Sequence, residues 1–197
     1  MFISFEGLDG SGKTTQAAML ADALELEGVT VVRVREPGGT PTGERIRELL
    51  LDRRSRIAPG AEALLYAAAR AQLVDEVIRP ALERGETVIA DRFIDSSLAY
   101  QGVARGLGLD AVLAANQLGT AGVMPTVTLL LELPAAQAAV RRGTAPDRIE
   151  AEGDGFHVAV AEGFRDAAEL FPERIRRIDA SGPPRAVLAR VREAVGL

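Results

Sequence analysis

The sequence predicts an α/β fold, a five-stranded parallel sheet with helices on both faces. Three observations predict it. Short apolar runs alternate with longer stretches of helical periodicity along the whole chain. A glycine-rich turn joins the first run to the first helix. No linker, internal repeat or shift in composition divides the 197 residues, so residues 1–197 are expected to form a single domain. Repeated strand–helix units cross over right-handedly, which makes the sheet mostly parallel and covers both of its faces.

The elements follow in order. Residues 2–5 are an apolar strand stopped by Gly7. Residues 15–26 repeat Ala18, Ala21 and Leu24 at helical spacing and end at Gly28, a residue suited to the position after a helix. Residues 30–34 form a second strand, and Glu36-Pro37-Gly38-Gly39-Thr40-Pro41 is a turn-rich loop. Residues 43–51 and 61–84 read as helices, the second long, rich in alanine and kinked at Pro80. Residues 87–90 are a fully apolar and therefore central strand, and Asp95 is the expected N-cap of the helix over 93–118. A fourth strand spans 127–133, helices span 135–141 and 154–170, and a breaker-rich loop lies between them. A fifth strand over 174–179 precedes a closing helix over 183–195 with proline in its first turn. Ligands in such folds sit beyond the carboxyl ends of the strands, which directs attention to the residues after Phe5, Val34, Ala90, Leu133 and Ile178.

Composition removes several kinds of chemistry. There is no cysteine and one histidine, His157, so thiolate catalysis, disulfides and a multi-histidine metal cluster have no raw material. A net charge of −5 argues against a nucleic-acid coat. The first residues lack the basic start and long apolar run of a signal peptide, and apolar stretches such as residues 127–131 are too short to span a bilayer. A cytoplasmic protein with no membrane partner is expected.

Gly7-Leu8-Asp9-Gly10-Ser11-Gly12-Lys13-Thr14 fits G-x-x-x-x-G-K-[ST] in full, after a strand and before a helix. Glycines there turn backbone N–H groups onto phosphate oxygens, and the helix adds the positive end of its dipole. Lys13 would reach the β- and γ-phosphates, Thr14 would hold Mg²⁺, and Thr15 continues the loop into the helix. The alternative is a chance glycine-rich turn. Against it, Lys13 is the only lysine in a chain that otherwise uses arginine. The fold is thereby read as a P-loop NTPase-type three-layer sandwich that binds ATP and Mg²⁺. At the end of the third strand, Asp91 suits the acid that orients Mg²⁺ and Arg92 suits a second phosphate. The same pair would also serve as a structural ion pair or a helix cap.

Four segments in this order resemble the bacterial thymidylate kinases over nearly the whole chain: residues 6–15, Arg35-Glu36-Pro37-Gly38-Gly39-Thr40, Asp91-Arg92-Phe93 and Asp147-Arg148-Ile149-Glu150. The second is the most specific to that family. The resemblance implies transfer of the ATP γ-phosphate to dTMP. It implies that Asp9 meets the sugar 3′-hydroxyl, that Arg35 and Arg92 lie near the dTMP phosphate, and that Glu36-Pro37, often with a cis bond, lies against the base. Tyr66 stands where the family usually has a stacking Phe, and Arg70 matches the arginine that bonds a thymine carbonyl. Ser97 and Tyr100 match residues beside base and deoxyribose, and the turn at Ala180 matches a backbone shelf for adenine. The residues agree: Tyr66 with Arg70 and Ser97 with Tyr100 each share a helix face, although core packing would also explain two such tyrosines.

Residues 141–150 are basic and broken by glycine and proline, as a mobile lid over phosphates would be. Gly10 and Ser11 supply no charge inside the phosphate loop, so Arg142 and Arg148 are the expected donors to the transferred group, with Arg141 in reserve. Spacing leaves open which of them touches it. A kinase of another small acceptor and an ATP-driven regulatory module remain as alternatives. A guanine-specific Asn-Lys-x-Asp motif is excluded by the single lysine. The family is dimeric, and a homodimer is expected.

Overall fold

The computed structural model describes residues 1–141 and 146–197. Its sheet contains β1 (Phe2–Glu6), β2 (Val31–Arg35), β3 (Thr87–Asp91), β4 (Val127–Glu132) and β5 (Ile175–Asp179). The spatial order is β2-β3-β1-β4-β5, and each neighbouring pair is parallel. Register aligns the carboxyl ends: Asp91 is opposite Phe5 on one side and Arg35 on the other. Three strand ends are thereby brought side by side at one edge of the sheet.

β1 is buried at every position, because it is the central strand and is covered on both faces. The pleat sends Ile3, Phe5 and Ile89 to a core with Leu20 and Leu24 of α1 (Lys13–Leu26). Phe2, Val88 and Ala90 meet Leu73, Ile78 and Phe93 in a second cluster. β2 and β5, at the sheet edges, are only partly buried, and their exposed positions carry arginines and, at the end of β5, Asp179.

Helices α2 (Pro41–Leu51), α3 (Pro59–Leu73), α4 (Arg79–Glu83), α5 (Ile94–Ser97), α6 (Leu109–Thr120), α7 (Ala135–Arg141), α8 (Asp154–Leu170) and α9 (Pro184–Ala194) complete the layers. The long helix expected over 61–84 is interrupted. Residues Val74–Ile78 widen into a π-helical turn between α3 and α4. Pro80 lacks an N–H and crowds the carbonyl four residues back, and the wider turn relieves that conflict. The helix expected over 93–118 is likewise divided into α5, a π-helical segment Leu98–Ala104, a break at residues 105–108, and α6.

Asp95 is not an N-cap. It lies inside the first turn of α5, where its carboxylate is buried. Each oxygen takes a 2.7 Å bond from Arg174, and Oδ2 also accepts from Thr128 Oγ1 at 2.9 Å. The partner that decides its conformation lies 79 residues away, beyond any local pattern. His157 is a packing residue on α8, its ring nitrogen 3.4 Å from the Glu150 carbonyl oxygen. Among the described residues no helix is long and apolar enough to cross a membrane.

α8 packs tightly on the π-helical segment through Gly163. A Cβ added there would lie 2.7 Å from Ala99 Cα, whereas one added at Gly155 on the same helix would meet open space. Gly163→Ala should therefore lower stability by about 1–3 kcal/mol through overpacking. Gly155→Ala should be neutral or stabilising by up to about 1 kcal/mol, since alanine restricts the unfolded chain. Urea unfolding of the two variants beside wild type checks both signs.

Candidate active site

One cleft of about 820 Å³ opens at the carboxyl ends of the strands. The phosphate loop, the ends of β2 and β3, α3, the π-helical segment and the turn after β5 all contribute to its lining. Asp9, Gly10, Ser11, Gly12, Lys13, Thr14, Thr15, Arg35, Pro37, Tyr66, Asp91, Arg92, Ser97, Tyr100 and Ala180, all named from sequence, line it together. Arg141 lines it as well. Arg142 lies outside the described residues.

The loop is shaped for anion binding. Gly7 sits at φ 133, and a Cβ there would fall 2.5 Å from the Leu131 carbonyl oxygen, so no larger residue fits. Gly7 and Leu8 do not line the cleft. They act through their carbonyls: Gly7 O accepts from Arg92 Nη1 at 3.2 Å, and Leu8 O accepts from Lys13 Nζ at 2.9 Å. Lys13 Nζ also lies 3.7 Å from Asp9 Oδ1. Burial, with help from the Arg92 charge, pushes the Lys13 ammonium down to about 8. A phosphate in the loop would add counter-charge beside this buried cation.

Thr14 Oγ1 donates to Asp91 Oδ2 at 2.5 Å, joining the start of α1 to the end of β3. A hydroxyl and a carboxylate are hard oxygen donors, and Mg²⁺ is usually held by one or two protein oxygens together with phosphates and water. The pair fits that ion.

Across the cleft stands a cluster built on Arg92. Its backbone is left-handed, φ 74, and its N–H donates to Phe5 O at 3.0 Å. The guanidinium bonds Asp9 Oδ1, donates to Ser96 Oγ at 2.8 Å, and lies 5.2 Å from the centre of the Tyr100 ring. Tyr100 donates its hydroxyl to Asp9 Oδ2 at 3.1 Å. Burial alone would raise the Asp9 carboxyl, but Arg92, Lys13 and the Tyr100 hydroxyl together hold it well below the usual range. Burial also pushes the phenols of Tyr100 and Tyr66 far up, so both stay protonated.

Arg70 does not line the cleft. It is 1% exposed and braces the base-side wall from behind. Its guanidinium pairs with Glu36, donates to Ser97 Oγ and Phe93 O at 3.1 Å each, and bonds Asn116. The Glu36–Pro37 peptide is cis. Arg35 is exposed and pairs with Glu44 at 3.2 Å. Arg148, expected at the transferred phosphate, does not line the cleft either. Its Nε donates to Leu50 O at 2.6 Å and its Nη2 to Glu62 Oε2 at 2.7 Å, which ties it to the wall.

Sequence reasoning missed several residues of this site. Arg47 lines the cleft and donates to Pro37 O at 2.9 Å. Ser96 and Gln101 line it beside Ser97 and Tyr100. Glu6, at the end of β1, accepts from Phe93 N–H at 2.7 Å and Ser96 Oγ at 2.5 Å, behind Arg92. An acid ending an otherwise apolar central strand was the available signal for Glu6. Nothing local marked Arg47 among the many arginines.

A family model described as thymidylate kinase matches residues 5–191. A thymidylate kinase of Caldanaerobacter subterraneus subsp. tengcongensis is 50% identical over 195 residues, covering 98% of this chain and 94% of that relative. One from Deinococcus radiodurans is 50% identical over 198 residues, covering 99% and 96%. The crystal structure of thymidylate kinase from Ehrlichia chaffeensis superposes with a TM-score of 0.82 at 34% identity, covering 100% of this chain and 98% of that one.

Burial, then the nearby Asp95 charge, pushes the Glu6 carboxyl up from 4.5 to about 7, against the pull of Arg92. Between these values the folded chain binds more protons than the unfolded one. The Glu6 contribution to stability is therefore full below about 4.5 and is lost as pH rises through about 7. Unfolding free energies of wild type and Glu6→Gln at pH 5 and pH 8 should shift in favour of the variant at the higher pH, by up to about 3 kcal/mol. A pH-independent difference would refute the shift.

Proposed function

The chain belongs to the thymidylate kinase family, ATP-dependent phosphotransferases that phosphorylate dTMP, and from that premise we propose how its residues divide the work. The observation that carries the division is the cleft itself, where the phosphate loop with Lys13 faces the Arg92–Asp9–Tyr100 cluster.

ATP takes the donor side. Backbone N–H groups of residues 10–15 and the Lys13 ammonium hold its β- and γ-phosphates, and the adenine lies on the turn containing Ala180. Mg²⁺ held at Thr14 and Asp91 would neutralise charge on the β- and γ-oxygens. The monophosphate takes the acceptor side, its phosphate on Arg92 and Arg35, with Arg47 as a further cation beside Pro37. Asp9 accepts from the sugar 3′-hydroxyl. Tyr66 stacks on the base and Ser97 bonds it, while Arg70, expected at the base carbonyl, holds Ser97 from behind the wall.

The acceptor phosphate has its second pKa near about 6 and is largely a dianion at neutral pH, so it needs no general base. One of its oxygens bonds the γ-phosphorus, the bond to the β–γ bridging oxygen breaks, and ADP leaves. Catalysis is positioning plus charge stabilisation by Lys13, Arg92 and the lid arginines Arg141 and Arg142. Arg148 is reassigned from that group to holding the wall, because Glu62 and Leu50 already occupy it. Tyr100 is wedged edge-on between Phe156 and Phe164, at 6.1 and 6.2 Å, and is held by Asp9. A ring fixed on three sides cannot move aside for a ribose 2′-hydroxyl.

We assign the enzyme to the cytoplasm, where both nucleotides are present. We also propose a homodimer. Leu64 on α3 and Leu118 on α6 are exposed, on helices that pack together where Gly119 meets Ala67 and Ala71. Light scattering should give twice the 20.8 kDa chain mass.

A coupled ADP-release assay with ATP–Mg²⁺ tests the assignment. Turnover should be high with dTMP, weaker with dUMP and minimal with UMP, dCMP or thymidine. ADP release without any acceptor would mean an ATPase.

A further inference from the structure

Glu62 is a buried acid with no assigned part in the transfer. It lies in the first turn of α3, is 0% exposed, and does not line the cleft. Its Oε1 accepts from Gln101 Nε2 at 2.9 Å and Arg105 Nε at 3.2 Å. Its Oε2 accepts from Arg105 Nη2 at 3.2 Å and Arg148 Nη2 at 2.7 Å. An unpaired carboxylate at this depth would be very costly, and two guanidiniums and an amide satisfy it.

The partners belong to two separate stretches of the cleft wall. Gln101 follows Tyr100 and lines the cleft. Arg105 closes the π-helical segment that carries both. Arg148 sits between Asp147 and Ile149, which line the cleft with Glu150. Arg148 also ties this stretch to the end of α2, through Nε to Leu50 O and its own N–H to Leu51 O at 3.1 Å. Tyr66, one turn after Glu62 on α3, supplies the base-side face. One carboxylate thus sets the spacing between α3, the sugar-side segment and residues 147–150. A carboxylate only accepts, so it also fixes which end of the Gln101 amide points away from the cleft.

We propose that Glu62 is a positioning residue for phosphoryl transfer, holding residues 147–150 and Gln101 against α3 so that the acceptor half of the cleft excludes water. This rests on the kinase reading above. Loss of the anchor loosens that wall without touching the phosphate loop. Transfer to dTMP slows, and water competes for the γ-phosphate.

The test is Glu62→Gln, which keeps the shape and removes the charge, with Arg148→Gln as a second variant should the first fold poorly. Three quantities are read: kcat for dTDP formation, the ratio of ADP to dTDP formed, and ATP affinity by calorimetry. The expected result for either variant is a kcat lower by about tenfold to a hundredfold, the cost of a small misplacement. The ADP-to-dTDP ratio should rise clearly above one while ATP affinity holds. Glu62→Asp, which keeps the charge, should recover part of the ratio. The two substitutions combined should cost less than the sum of each, since they break one unit. The proposal is overturned if kcat and the ratio are unchanged. It is also overturned if activity falls together with ATP affinity and melting temperature while the ratio stays at one, which marks a purely structural role. Failure of the wild type to make dTDP would instead remove the kinase reading.

Discussion

A half-buried guanidinium on a strained backbone holds the two halves of the cleft together. Arg92 follows β3 directly and turns left-handed at φ 74, which costs an ordinary residue about 1–2 kcal/mol. The turn is held because its N–H reaches Phe5 O on β1 and its side chain is surrounded by acceptors. Asp9 and the Gly7 carbonyl come from the phosphate loop, and Ser96 relays it to Glu6. The cation proposed for the acceptor is therefore bonded to the loop proposed for the donor. Such contacts would set the geometry between two substrates before either binds.

The surrounding acids divide by environment. Asp9 faces two cations and stays ionised. Glu6 lies one layer deeper, where burial and Asp95 favour its protonated form. Glu62 lies on the far wall, where two arginines and an amide outweigh burial and hold its carboxyl low. Only Asp9 lines the cleft. The other two hold other residues in place. Arginine suits these positions because its fork bonds several acceptors at once, while the single lysine sits where one compact, mobile charge follows a phosphate.

Much of this was legible in the sequence, and the exceptions share a cause. The strands, the phosphate loop and the helix Asp154–Leu170 follow from periodicity and punctuation, which are local. Asp91 and Arg92 were singled out because a strand end in this topology is a ligand position, and both line the cleft. Asp95 was misread as a cap because its partner, Arg174, lies on the other half of the sheet. The long helices were misread because periodicity does not distinguish an α-turn from the wider turns before Pro80 and along Leu98–Ala104. Arg148 lies in a basic, breaker-rich stretch that reads as a hand for phosphate, and nothing local showed its pairing with the buried Glu62. Long-range pairing of charges is what a linear pattern does not encode.

The most direct measurement compares the affinities of dTMP and of ATP for wild type and Arg92→Ala by titration calorimetry. With Arg92 assigned to the acceptor and the loop to the donor, dTMP affinity should fall by about a hundredfold, as expected for loss of a charge-assisted contact to phosphate. ATP affinity should stay within about threefold, on the scale of an indirect coupling through shared neighbours. Equal losses for both nucleotides would contradict the account, making Arg92 a brace of the phosphate loop rather than the acceptor's cation.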